Sequence, residues 1–206
     1  MIRPRRLLLA IALLLVSWAG ARTEGTGTVK GTVTTTDPAG QVVADAVVMI
    51  EGPANGGGTT RTTMNQQHEA FAPHVLGVAV GTTVDFPNGD PVLHNVFSTS
   101  PPKRFDLGMY GQGETRNVVF DSPGVVLVRC NVHPRMTGYI VVHSNPYVAV
   151  TDAHGSYTIT SVPPGTYTAR IWHEELAGRP VPVKVFDGRV TPLDFALART
   201  PTPTPE

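Results

Sequence analysis

From residue 27 onward the apolar positions come in short β-branched runs, not on one face of a 3.6-residue turn. TVKGTV, VVADAVVMI, VLGVAVGTTVDF, RNVVF, GVVLVRC, GYIVVH, SYTIT, TYTARIW and VPVKVF follow one another. Gly, Pro, Asn and Asp punctuate them. In VLGVAVGTTVDF the period-two rule puts Val78, Val80, Thr82 and Val84 on one side of a single pleated strand. Many such runs with turn signals between them predict an all-β protein of sandwich type.

The two ends depart from this pattern. MIRPRR, then LLLAIALLLV, then SWAGA has the basic start, short apolar run and small-residue ending of a secretory signal peptide, expected over residues 1–21. The run from Leu7 to Val16 is shorter than the roughly 20 residues of a spanning helix, so the mature chain is expected to have no integral membrane span. Retention of the segment as an uncleaved anchor is the alternative. RTPTPTPE alternates Thr and Pro, and residues 198–206 are expected to form an extended tail. The Gly-rich EGPANGGGTTRTT reads as a flexible joint.

Charge narrows the function classes. Without Arg3, Arg5 and Arg6 the chain keeps 13 basic against 16 acidic residues, a net charge of −3. That is no footprint for nucleic acid. It also offers no basic helix for a membrane surface. Export and a single cysteine sit awkwardly together: Cys130 has no intramolecular disulfide partner, and a free thiol in an oxidising compartment is open to oxidation.

The thiol sits in CNVHPRM, with His133 three residues on and Met136 three further. Thiolate, imidazole and thioether make a soft donor set that suits copper, and a site with two His, one Cys and a weak axial Met carries single electrons. The second histidine has to come from elsewhere; DPVLHNVFS supplies His94 after the run TTVDF. A zinc site of Cys-His-His type is the rival reading, although methionine is an unusual zinc ligand.

CNVHPRM followed by GYIVV, with HNV upstream, resembles the ligand segments of the cupredoxins over residues 64–145, and the Cys-x2-His-x2-Met spacing is most similar to that of amicyanin. The resemblance implies a Greek-key β-sandwich holding one type 1 copper through His94, Cys130 and His133, with Met136 axial. It implies that Asn95 steadies the thiolate through its backbone N–H. It implies that electrons leave by the exposed edge of His133 within an apolar patch, and that the chain is no enzyme. Redox proteins, such as a c-type cytochrome or a dehydrogenase, would be its partners. Arg135 stands where the family has an apolar residue.

A second resemblance covers TDAHGSYTITSVPPGTYTARIW and VPVKVFDGRVTPLDFAL, which are similar to carboxypeptidase regulatory-like β-sandwich modules. Their usual opening matches GTVKGTVTTTDPAGQVVADAVVMIEG. Residues 27–52 and 147–197 are therefore expected to form one smaller Ig-like or prealbumin-like sandwich, with the 64–145 domain inserted at a loop tip. Assignment of 27–52 to the first cupredoxin strands is the alternative. His68, His74, His143, His154 and His173 are read as surface, hydrogen-bonding or interface residues. The function expected is an exported, periplasmic or extracellular blue-copper electron carrier. Copper storage or delivery, and an interaction module without a redox role, are the alternatives.

Overall fold

The structure is a computed structural model that describes residues 25–52 and 60–199; the expected signal peptide, most of the Gly-rich joint and residues 200–206 of the tail lie outside the described residues. The described residues form strands and no helix, so the protein is all-β. No helix among them is long and apolar enough to cross a membrane.

Two sandwiches share the chain. In the flanking one, Gly27–Thr35 lies between Ser156–Val162 and Phe195–Arg199, with Leu176–Ala177 beyond and Val190–Pro192 also pairing with Gly27–Thr35. The facing sheet runs Val148–Val150, Val47–Glu51, Gly165–Trp172, Val181–Val185. Alternate residues of both sheets, among them Val29, Val33, Ile50, Ile159, Val183 and Leu197, close its core.

The central sandwich is built from residues 61–143. One sheet orders Val75–Ala79, Thr137–His143, Gly124–Arg129, His94–Ser98 and Phe105–Tyr110. The other orders Thr115–Phe120, Thr82–Pro87 and Arg61–Thr63, and a small hairpin of Asn65–Gln67 and Ala70–Ala72 lies beside them. Phe86, Val96, Phe120, Val126, Val128 and Ile140 fill this core, which also takes in Cys130 and Met136.

The single strand expected over VLGVAVGTTVDF is two. Gly81, at φ +91°, turns the chain, and Val80 N and Gly81 N donate to His143 O and Phe120 O at 2.8 and 2.7 Å. Val75–Ala79 and Thr82–Pro87 then join opposite sheets. Val78 and Val84 are both buried because they face the core from its two sides. Alternation alone does not reveal such a crossing.

Between the sandwiches lies a third apolar layer. Val47, Val75 and Val141 are buried there, with Met49, Val125, Tyr139, Val148, Val150 and Trp172 packed around them. The absent side chain of Gly77 allows this approach, since a Cβ there would stand 2.8 Å from Val148 Cγ2 and 3.0 Å from Val47 Cγ1. At the seam, His143 Nε2 and Asn145 Nδ2 both donate to Ile50 O at 3.0 Å. That bond satisfies a buried carbonyl and gives His143 its place.

Candidate metal centre

Cys130 follows directly on Gly124–Arg129, and its loop is closed by two backbone bonds: Cys130 N to Met136 O at 3.1 Å, and Met136 N to His133 O at 2.9 Å. These bonds fold CNVHPRM back on itself, so that His133 faces Cys130. His94 opens the neighbouring strand His94–Ser98 and is fully buried.

The donor atoms converge. Cys130 Sγ lies 3.8 Å from His94 Nδ1 and 3.8 Å from His133 Nδ1, and the two imidazole nitrogens are 3.0 Å apart. Among the described residues, this is the one group of three or more His, Cys, Asp or Glu side chains close enough to hold a metal ion. Metal–nitrogen and metal–sulfur bonds of about 2.0–2.3 Å around a shared centre separate the ligand atoms by roughly 3–4 Å. The observed separations match that range. Met136 is buried in the same apolar cluster as Cys130.

The protonation of His94 is set by its other nitrogen. His94 Nε2 donates to Asp90 Oδ2 at 2.9 Å in the interior, which places the lone pair of the neutral ring on Nδ1, facing Cys130 and His133. A carboxylate behind a ligating histidine fixes the ring and raises its basicity. Asp90 is held in turn by the backbone N–H groups of His68 and Glu69, at 2.7 and 2.8 Å, aimed at it by positive φ angles of 56° and 55°. Burial pushes the Asp90 carboxyl up, but the bonds from Glu69 N, His94 and His68 N together outweigh it and hold the group below the usual carboxylate range.

Asp90 is absent from the sequence reading. Its signal was an acid four residues ahead of His94 in PNGDP, indistinguishable there from ordinary turn polarity. Asn95 is buried, and its Nδ2 donates to Asp106 Oδ1 at 2.6 Å, tying the His94 strand to Phe105–Tyr110. Asp106 Oδ1 also accepts from Gly108 N at 2.8 Å.

His133 is the partly open member of the group. Its side chain is 21% exposed, with Nε2 4.0 Å from Glu69 Oε1. Val132, Pro134 and Arg135 beside it are exposed. Three other histidines have partners of their own: His173 Nδ1 accepts from Glu175 N and Leu176 N, His154 N donates to Asp152, and His74 sits between Thr137 and Glu174.

The model of polysaccharide lyase family 4, domain II, matches residues 134–193. That span begins at Pro134, does not reach residues 27–52, and is not the carboxypeptidase regulatory-like module expected from the sequence. No curated protein matches the chain. Similar solved structures include a purple cupredoxin from Nitrosopumilus maritimus, at 26% identity and TM-score 0.36, covering 41% of this chain and 99% of that one. A variant of amicyanin in its Cu(I) form is 20% identical at TM-score 0.38, covering 47% and 98% of the two chains. The copper-containing nitrite reductase of Thermus scotoductus is 29% identical at TM-score 0.38, covering 55% of this chain and 28% of that one.

Proposed function

We propose that this chain is an exported carrier of single electrons, with one type 1 copper held by His94, Cys130 and His133 and capped by Met136 as a weak axial ligand. The convergence of one thiol and two imidazole nitrogens in the interior, with His94 backed by Asp90, carries the reading. Copper bound there supplies a Cu(I)/Cu(II) couple whose potential is tuned by the axial ligand and by hydrogen bonds around the site.

The chain's own residues do the rest. The two loop bonds of Cys130 and Met136 hold the loop in place, which would limit how far its donors shift between Cu(I) and Cu(II). Burial of His94, Cys130 and Met136 excludes water and shields the thiol from oxidation. His133 reaches the surface between Val132 and Pro134, where a redox protein such as a c-type cytochrome or a dehydrogenase would dock. Asn95 stiffens the strand that bears His94.

Residues 64–145 form the copper domain in this reading. Residues 27–52 and 147–197 form one carboxypeptidase regulatory-like unit into which it is inserted. Cleavage after residue 21 would deliver the chain to the periplasm or the exterior.

The test is the visible spectrum of the Cu(II)-loaded protein beside Cys130→Ser. An intense thiolate-to-copper band in the wild type alone, bleached by reductant and restored by oxidant, is the expected result. Equal and weak colour in both proteins would leave no basis for the carrier.

A further inference from the structure

The exit of the ligand loop is gripped by a residue far from it in sequence. His74 ring Nδ1 lies 3.2 Å from the carbonyl oxygen of Thr137, the residue after Met136, and His74 O accepts from Tyr139 N at 2.9 Å. The same ring meets the Tyr139 ring edge-on at 5.6 Å. His74 thus holds Tyr139 by its backbone carbonyl and by the edge-on contact of the two rings. A Cβ on Gly138 would stand 3.1 Å from His74 O, which shows how close the two segments run.

What holds His74 comes from the flanking sandwich. His74 Nε2 donates to Glu174 Oε1 at 3.0 Å. Tyr139 packs against Trp172 with ring centroids 5.1 Å apart. Burial, and after it the neighbouring Glu174 carboxylate, raise the Tyr139 hydroxyl above its ordinary range, so Glu174 stands close to both members of the grip. Trp172 ends the strand Gly165–Trp172, which has no share in the central sheets, and Glu174 lies two residues beyond it.

We propose that Trp172 and Glu174 are positioning residues for the metal centre, acting through His74 and Tyr139 to fix the exit of the ligand loop and with it Met136. The inference rests on the copper reading above and gives the flanking sandwich a task in it: it holds the axial thioether in place. A weak axial ligand is sensitive to such support, because little bond energy of its own opposes displacement.

The test uses full-length protein. Glu174→Ala removes the acceptor for His74 at a half-exposed position where folding is not at risk; Glu174→Gln keeps one carbonyl oxygen there; Trp172→Ala removes the ring contact; Arg170→Gln breaks an ion pair with Glu51 inside the flanking sandwich and serves as control. The first readout needs no metal: amide hydrogen exchange at Met136 and Tyr139. Glu174→Ala should exchange about fivefold faster there, the factor that about 1 kcal/mol from one lost hydrogen bond gives. Glu174→Gln should fall between it and wild type, Trp172→Ala should exchange at least as fast as Glu174→Ala, and Arg170→Gln should match wild type. The second readout is the Cu(II) form: the ratio of its visible bands and its midpoint potential should move in the same order.

Exchange at Met136 and Tyr139 unchanged in Glu174→Ala and Trp172→Ala would overturn the inference. So would altered exchange with a wild-type spectrum and potential. A wild-type protein without a thiolate band would instead defeat the copper reading, whatever the exchange shows.

Discussion

Asp90 and His94 meet carboxylate to imidazole at 2.9 Å, one 5% exposed and the other fully buried, at the two ends of the turn that delivers His94 to the metal centre. The contact fixes the tautomer of His94 before any metal arrives.

Asp90→Asn should therefore weaken Cu(II) binding by about 10–100-fold, the usual cost of losing a group that orients a ligand. The amide keeps one oxygen, so it can accept from His68 N or from Glu69 N but not from both, and urea unfolding of the metal-free variant separates the resulting stability loss from the loss of copper affinity. Competition against a chelator of known affinity measures the loss, and affinity equal to wild type would show that the carboxylate does not orient the ring.

Met136 has two roles that substitution can separate. Met136→Leu keeps its volume and should cost less than about 1.5 kcal/mol of stability in the metal-free protein, whereas Met136→Ala should cost about 2–5 kcal/mol. Both remove the thioether, a donor that favours Cu(II), so both should raise the midpoint potential. Urea unfolding of the apo forms and redox titration of the loaded forms check the two halves. A potential unchanged in Met136→Leu would reduce Met136 to a packing residue.

The layer between the sandwiches is tight enough to reject one methyl group. Gly77→Ala puts a Cβ 2.8 Å from Val148 Cγ2, 3.0 Å from Val47 Cγ1 and 3.3 Å from Val150 Cγ2, and should destabilise by about 1–3 kcal/mol. Denaturant unfolding monitored by Trp172 fluorescence would report it, and a stability within error of wild type would mean the valines yield freely.

Tyr157 predicts an alkaline limit. Its hydroxyl donates to Leu193 O at 2.6 Å; burial, with Asp194 nearby, raises its pKa well above the ordinary value of 10.0. The folded protein then keeps a proton that the unfolded chain releases, so stability is full below about pH 10 and falls as pH rises beyond it. Tyr157→Phe should start lower by about 1 kcal/mol for the lost hydrogen bond and show a shallower alkaline decline. Parallel curves for the two proteins would assign the decline to other groups.

The sequence made the all-β class legible because alternation and turn residues are local signals. It also pointed to His94, Cys130 and His133, whose donor atoms the structure brings together, because a thiol with an imidazole three residues on is hard to explain otherwise and their meeting depends only on a strand end and a tight loop. Asp90 was hidden: its meaning comes from His68 and Glu69, whose N–H groups reach it only through an unforeseen hairpin. Glu174 and His74 were hidden for a stronger reason, since they lie 100 residues apart and meet only because two sandwiches pack together. The strand break at Gly81 was missed because crossing between sheets preserves alternation.

Val47–Glu51 and Val148–Val150 pair side by side, Met49 opposite Val148, so the chain leaves the flanking sandwich and re-enters it at neighbouring strands. Closing that ladder on an unstructured chain means bringing together points separated by roughly 100 residues, at an entropic cost on the order of 4 kcal/mol. A central sandwich that has already folded presents its two ends together and removes most of that cost. Assembly with the central sandwich first would therefore avoid that closure cost, whereas pairing Val47–Glu51 with Val148–Val150 first would carry all of it, as a clasp must be brought round before it shuts.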